Sequence, residues 1–364
     1  MACPPSARLT IDLDALAHNL QVLRTEAPGA EVAAVVKADG YGLGAAQVGR
    51  RLWAEGVRSF FVARLEEGER LRAALGPTRD AVIYVLDGLT PGAGPRLTAA
   101  DLTPALCSPS QVSEACALAA NSGRPLPCAL HVDTGMNRQG LTPAVVEALI
   151  QAGDRLRGLD MRLIMSHLGS GTDPEHPRNR LQLGRFERIR ALFPEARASV
   201  SASAGIFLGP AFRFDQVRAG ISLYGGGPEE RPDPRLQAVA TFEAPVLDIR
   251  NVEPGEFIGY GSRVVAERPM RVAILGAGYA DGIIRAGAGR AYAWCAGARR
   301  PVVIVTMDLI AIEIGEAAVQ IGDMAELLGP NALIDDQAAA AATVAHECLV
   351  RLGGRGERVY LGEA

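Results

Sequence analysis

Ala33-Ala34-Val35-Val36-Lys37-Ala38-Asp39-Gly40-Tyr41-Gly42 sets the reading of the whole chain. Four apolar residues in a row spell a strand buried on both faces, as in parallel sheets. Lys37 ends that strand, and Gly40 and Gly42 around Tyr41 turn the chain beyond it. Lys37 is also the only lysine in 364 residues; every other member of the 37 Lys and Arg residues is arginine. A surface cation works equally well as either type, so a chain this biased keeps a lysine only where arginine fails. Arginine stays protonated and is no nucleophile, whereas a desolvated lysine shifts its pKa readily and forms Schiff bases. The plain alternative, a lysine that merely caps a strand, is the commoner case for any single lysine.

Length and a hydrophobic content of 48% suit two domains, or one large α/β barrel with an addition. No apolar run reaches the roughly 18 residues of a membrane helix. The start, Met1-Ala2-Cys3-Pro4-Pro5-Ser6, has neither the basic nor the apolar region of a signal peptide. A net charge of −4 gives no reason to expect nucleic acid or an anionic membrane as partner. Cysteines 3, 107, 116, 128, 295 and 348 are scattered, without a C-x-x-C pair. That argues against a metal site or disulfide framework and for a reducing cytoplasm.

From the start to about residue 230, short apolar runs alternate with helical patterns. Strands are expected at Val32–Val36, Ser59–Ala63, Ala81–Leu86, Pro104–Cys107, Pro127–Val132, Met161–Ser166, Ala198–Ala202 and Val217–Tyr224. Eight β/α units predict a parallel (β/α)8, TIM-like barrel over 1–230, with an open doubly wound sheet as the alternative, since periodicity does not show closure. Barrel chemistry gathers where strands end. Polar and glycine residues stand there repeatedly: Lys37 and Tyr41, His131 to Arg138, Ser166-His167, Ser203 and Arg218 to Gly220-Ile221. Barrels commonly hold a phosphate after strands seven and eight, which places Ser203, Gly220 and Ile221. Singly, each is weak; His167 is also read as a core histidine and Arg218 as a structural ion pair. Pro228 to Pro234 reads as a linker, and 231–364 as a smaller, mostly β domain. Its strands are expected at Ala238–Val246, Phe257–Tyr260, Met270–Leu275, Ala291–Cys295 and Pro301–Ile314. The segment Gly276-Ala-Gly278 superficially matches a dinucleotide fingerprint, but the glycines that follow interrupt any helix that would carry it.

Ala-Val-Val-Lys-Ala-Asp-Gly-Tyr-Gly resembles the cofactor-lysine motif of alanine racemases, which use pyridoxal phosphate. Val132-Asp133-Thr134-Gly135-Met136 with Arg138, Ser166-His167, Val217-Arg218 with Gly220-Ile221, and Gly278-Tyr279-Ala280-Asp281-Gly282 are similar to further segments of that family. The resemblance implies a cytoplasmic homodimer that interconverts L- and D-alanine, a peptidoglycan precursor. It implies Lys37 and Tyr279 of the partner subunit as the two bases, with His167 and Arg218 assisting the tyrosine. It implies Arg218 at the pyridine nitrogen, Arg138 near the phenolic oxygen and the substrate, and Tyr41, Ser203, Gly220 and Ile221 on the phosphate. Met307-Asp308 resembles a segment near the same shared site. The chain departs from the pattern at His131, where many members carry lysine, so that another anion or hydrogen bond must position Arg138. It departs also at Ala202, Thr172 and Gly356, the last where a phosphate-binding tyrosine would fall, with Tyr360 one turn away. Other outcomes are a racemase of another amino acid, a related pyridoxal-phosphate barrel decarboxylase or aldolase, and a non-catalytic binder of the cofactor.

Overall fold

The computed structural model describes residues 6–76, 80–153, 156–262 and 264–362. They form two compact units, one made of 20–40 with 44–223, the other of the described parts of 1–19, 41–43 and 224–363. After a first strand β1 (Arg8–Asp12) come β2 (Glu31–Val35), β3 (Ser59–Val62), β4 (Val82–Val85), β5 (Thr103–Leu106), β6 (Leu126–His131), β7 (Leu159–Met165), β8 (Arg197–Ser199) and β9 (Gln216–Ala219). From β2 to β8 each strand pairs in parallel with the next, and β9 returns to β2 with Gln216 opposite Glu31. The ring closes where Arg218 N donates to Ser201 O at 2.9 Å and Ala202 bridges Arg218. That closure decides for a barrel over an open sheet.

All eight expected barrel strands are present, within a few residues at their ends. Val217–Tyr224 is the one that changes character: the strand stops at Ala219 and Ile221–Tyr224 coil into a 3-10 turn. Gly220 N there is bound by the Ser203 hydroxyl instead of a neighbouring strand. The barrel interior is apolar and closely filled. Phe60 and Phe61 of β3 are fully buried, and the Phe61 ring stacks on Tyr84 of β4 with centroids 4.6 Å apart.

The other unit contains β10 (Ala240–Val252), β11 (Met270–Leu275), β12 (Tyr292–Cys295), β13 (Ala298–Val305), β14 (Ile310–Glu313), β15 (Met324–Leu328) and β16 (Glu357–Leu361). The long β10 pairs antiparallel with both β15 and β11, and the pairings β15–β12–β13–β14–β11 complete a closed antiparallel ring. β1 adds to β10 antiparallel, and β16 adds to β1 in parallel. Three expectations are corrected here. Pro301–Ile314 is two strands joined by a turn at 306–309, in which Thr306 Oγ1 donates to Leu309 O. Phe257–Tyr260 is reduced to a single bridge, Phe257 with Val265. β1, β15 and β16 are strands that the apolar pattern passed over. The compact units also do not follow a cut at 230/231, since β1 lies in the antiparallel unit.

Residues 41–43 lie there too. Tyr360 Oη donates to Leu43 O at 2.9 Å and Arg358 Nη2 to Gly42 O at 3.0 Å. Gly42 has φ +83°, and a Cβ on it would stand 3.0 Å from Leu349 O, so glycine is required. Among the described residues no helix is long and apolar enough to cross a membrane.

Phe61 tests the barrel packing. Phe61→Ala removes a fully buried ring and should lower stability by about 3–5 kcal/mol, read as a shift of the urea midpoint at unchanged slope.

Candidate functional site

The turn after β2 is the most unusual backbone in the molecule. Ala38, Asp39, Gly40, Tyr41 and Gly42 have φ of 51°, 56°, 63°, 58° and 83°, five left-handed residues in succession. Non-glycine residues in this region cost on the order of 1–3 kcal/mol each and persist only where the surroundings fix them. Glu67 supplies much of that fixing. Its Oε1 accepts from Ala38 N at 2.8 Å, while Oε2 accepts from Ala63 N at 2.7 Å and Arg64 N at 3.1 Å. Asp39 Oδ1 accepts from Ala45 N at 2.9 Å, and Gly40 N donates back to Val36 O. Lys37 is left half-buried at the barrel mouth. Burial lowers its pKa and the Arg138 charge adds to that, against weaker opposing pulls from Glu67 and Asp87. A lowered amine is a better base and nucleophile at neutral pH.

Arg218, on β9, is 3% exposed, and among the described residues no carboxylate pairs with it. Its guanidinium is satisfied by neutral oxygens instead: Nη1 donates to Ser199 O at 3.0 Å and Ser199 Oγ at 2.7 Å, Nη2 to Ser166 O at 2.5 Å. Burial draws its pKa down to about 9, which leaves it charged at pH 7. Nη2 also lies 3.4 Å from His167 Nδ1. A guanidinium only donates, so Nδ1 accepts and the His167 proton sits on Nε2. Burial, then Arg218, hold His167 well below the ordinary histidine range. His131, the last residue of β6, is brought down to about 4 by burial, Arg218 and Arg138 in that order. Both imidazoles are therefore neutral. His131 Nδ1 is buried and has no partner, so Arg138 is not held by a hydrogen bond to that atom. Arg138 itself is exposed, and its charge bears on Lys37, His131 and His167.

At the ends of β8 and β9, Ser203 Oγ accepts from Gly220 N at 2.9 Å and from Ser222 N at 3.2 Å. Ser203, Gly220 and Ile221 are thus brought together as expected. Ser222 joins them unforeseen: it is fully buried, and its hydroxyl has no partner. Gln182 is a second residue that motif reading missed. Its amide donates to Thr134 Oγ1 and His167 O and accepts from Gly169 N, locking the loops after β6 and β7 to each other. It sits inside an ordinary amphipathic helix, so nothing local marks it. Asp133 Oδ1 gathers the amides of Gly135, Met136 and Asn137. Although burial works the other way, those bonds hold its carboxyl below the usual range.

Tyr41, Tyr279 and Met307 belong to the antiparallel unit. Tyr41 is buried, stacked on Tyr224 at 4.6 Å and tilted against His346 at 5.9 Å, and burial raises its phenol pKa. Tyr279 and Met307 are exposed, at 46% and 55%. No helix opens at Gly276–Gly278; Tyr279–Asp281 form a single 3-10 turn. Gly356 packs against Ala7, where a Cβ would meet Ala7 O at 3.0 Å and Phe242 at 3.4 Å, a tight fit, whereas Gly354 faces open space. Tyr360 uses its hydroxyl on Leu43 O.

The donor set of the barrel mouth suits pyridoxal phosphate. One amine of lowered pKa can bind an aldehyde, Arg138 and Arg218 are cationic, both histidines are neutral, and the Ser222 hydroxyl lacks a partner beside the Gly220 amide. Lys37 would hold the aldehyde carbon, Arg218 the ring, and Ser203 with the amides near Gly220 the phosphate.

A closed parallel barrel with a single amine at the end of its first strand, joined to an antiparallel unit, defines a lysine-centred barrel enzyme. Comparison with known proteins narrows this. Residues 11–228 match the model of the alanine racemase N-terminal domain, and 239–360 that of the alanine racemase C-terminal domain. The chain is 46% identical over 360 residues to an alanine racemase of Methylobacterium nodulans, covering 98% of this chain and 96% of that one. It is 44% identical to a catabolic alanine racemase of Mesorhizobium japonicum, covering 98% and 93%. The crystal structure of alanine racemase from Bartonella henselae with covalently bound pyridoxal phosphate superposes with a TM-score of 0.92 at 34% identity, covering 98% of this chain and all of that one. The chain belongs to the alanine racemase family.

The depressed histidines carry a pH signature. His131 shifts from an ordinary 6.5 to about 4 on folding. Between those values the unfolded chain takes a proton that the folded chain refuses, so stability is full above about pH 6.5 and declines as pH falls toward 4. The shift corresponds to on the order of 3 kcal/mol, and His167 adds with the same sign. His131→Gln should flatten the decline in urea midpoints between pH 7 and pH 5. An unchanged slope would mean that His131 is already charged in the folded protein.

Proposed function

We propose that this chain is a pyridoxal-phosphate-dependent racemase interconverting L- and D-alanine in the cytoplasm, as a homodimer whose active sites take residues from both subunits. The observation that carries it is the lone lysine, half-buried and lowered in pKa, at the end of the first strand of a closed barrel. Pyridoxal phosphate, when bound, supplies the carbonyl and the ring that acidify the substrate's α-carbon. Lys37 would hold it and would take or return the substrate's α-proton on one face. Tyr279 of the partner subunit serves the opposite face. Removal on one side and return on the other is what inversion requires. Arg218 keeps its proton and would face the ring, limiting it as an electron sink and so limiting side reactions. His167, neutral and with its proton on Nε2, passes the influence of Arg218 outward. Arg138 and Met307 meet the substrate, and Tyr41, Ser203, Gly220 and Ile221 meet the phosphate. The barrel unit carries Lys37, Arg218 and Ser203, and the antiparallel unit supplies Tyr41 and the second base. D-alanine made in this way is a peptidoglycan precursor.

Chiral chromatography of L-alanine incubated with enzyme and pyridoxal phosphate should show D-alanine approaching an equal mixture, with other amino acids turned over more slowly. Borohydride reduction and peptide mapping should place pyridoxyl on Lys37 alone, and Lys37→Arg should abolish it. Inversion of alanine by that variant would sink the assignment.

A mixed population of Lys37→Ala and Tyr279→Phe subunits, each inactive alone, should recover activity as subunits exchange, because a mixed dimer carries one intact site. Full activity of Tyr279→Phe by itself would remove it from the reaction.

A further inference from the structure

Tyr279 sits on a loop, 278–282, that is fixed almost wholly by other segments of its unit. Tyr279 N donates to Thr306 O and Ala280 N to Met307 O, each at 3.0 Å, and Gly353 N donates to Asp281 O at 3.2 Å. The backbones approach so closely that a Cβ on Gly278 would come within 2.3 Å of Met307 O, and one on Gly282 within 2.1 Å of Arg351 O. Inside this sandwich lies Asp281, 3% exposed, whose Oδ2 also accepts from Gly278 N at 2.8 Å. Its charge is met by Arg355, with Nε on Oδ1 at 3.0 Å and Nη2 on Oδ2 at 2.7 Å, a bidentate pair. The remaining arm, Nη1, reaches Asp308 Oδ1 at 2.7 Å. One guanidinium therefore joins the loop carrying Tyr279 to the turn carrying Met307.

We propose that Arg355 is a positioning residue for racemisation, using its two edges on Asp281 and Asp308 to hold Tyr279 and Met307 in one fixed relation. This rests on the reading in which Tyr279 is the second base. Arg355 is asked to touch neither substrate nor cofactor. Its geometry explains why arginine is needed: a lysine ammonium offers a point charge and does not span two carboxylates with a planar fork. Because Lys37 stands on the barrel unit, loss of Arg355 disturbs the chemistry of one face only. The consequence is a split between two events that the intact enzyme couples. Inversion needs both bases, whereas exchange of the α-proton with retention needs only Lys37.

The test compares Arg355→Lys, Arg355→Ala, Asp308→Asn and Tyr279→Phe holoenzymes in D2O. Displacement of a reacting group by about 1 Å costs on the order of a hundredfold, so Arg355→Lys should slow inversion by roughly ten- to a hundredfold. One alanine enantiomer should still gain α-deuterium with retention, at near the unmodified rate, and pyridoxal phosphate affinity should be unchanged. Asp308→Asn should show the same split more mildly, and it serves alone if the Arg355 variants do not fold. Amide hydrogen exchange at 278–280 and 306–308 should accelerate in both, a readout independent of turnover. The proposal is overturned if inversion is untouched, or if inversion and retentive exchange fall together as in a general loss of structure. Undiminished inversion by Tyr279→Phe would instead remove the underlying reading, and the proposal with it.

Discussion

The electrostatics of the barrel mouth descend from one buried cation. Arg218 is enclosed by carbonyl and hydroxyl oxygens from the ends of β7 and β8, without a carboxylate among the described residues to neutralise it. A charge placed this way does two things at once. It fastens β9 to its neighbours at the point where the ring of strands closes, and it fills the site with positive potential. His167 and His131 are kept neutral first by their burial, and this charge presses them the same way. An anionic ligand is the natural counter-charge, because the protein has withheld its own.

Against that field, the position of Lys37 is a matter of backbone. Five left-handed residues follow it, three of them with side chains, and Glu67 holds the first of them together with the beginning of the next loop. Strain of this kind is tolerated where a rigid neighbour over-determines it. The arrangement keeps the amine at the mouth without the flexibility of an ordinary loop. One carboxylate thus serves two strand ends, which is economical and also makes Glu67 more consequential than its place in an unremarkable helix suggests.

Much of the barrel was legible because its strands are apolar on both faces, and an uninterrupted run such as Ala33–Val36 has few other readings. Site residues marked by short motifs, such as Ser203 with Gly220, were legible for a related reason: strand ends of one sheet face one place. The misses have equally physical causes. β1 is five residues long and alternates buried with half-buried positions, so its pairing with β10 and β16 has no local signal. β15 contains Glu326, a buried carboxylate that accepts from the amides of Asn331 and Ala332, and the charge disguised the strand. Gln182, Ser222 and Arg355 act through partners tens of residues away, and separation of that kind is invisible to spacing. The tight setting of Gly356 was equally hidden, because a sequence position does not reveal that Ala7 O would lie 3.0 Å from its Cβ.

The pairing of β1 also fixes an order of events during synthesis. Strands β2 to β8 each pair with the next strand made, so the barrel can organise progressively as the chain leaves the ribosome. β1 precedes them in the chain, yet Arg8 pairs with Glu243 and Glu357. It must stay unpaired until β10 has been made, exposing edges that other chains could capture. Its burden is lightened by its brevity and by Arg8, a charge at its start that discourages edge-to-edge association.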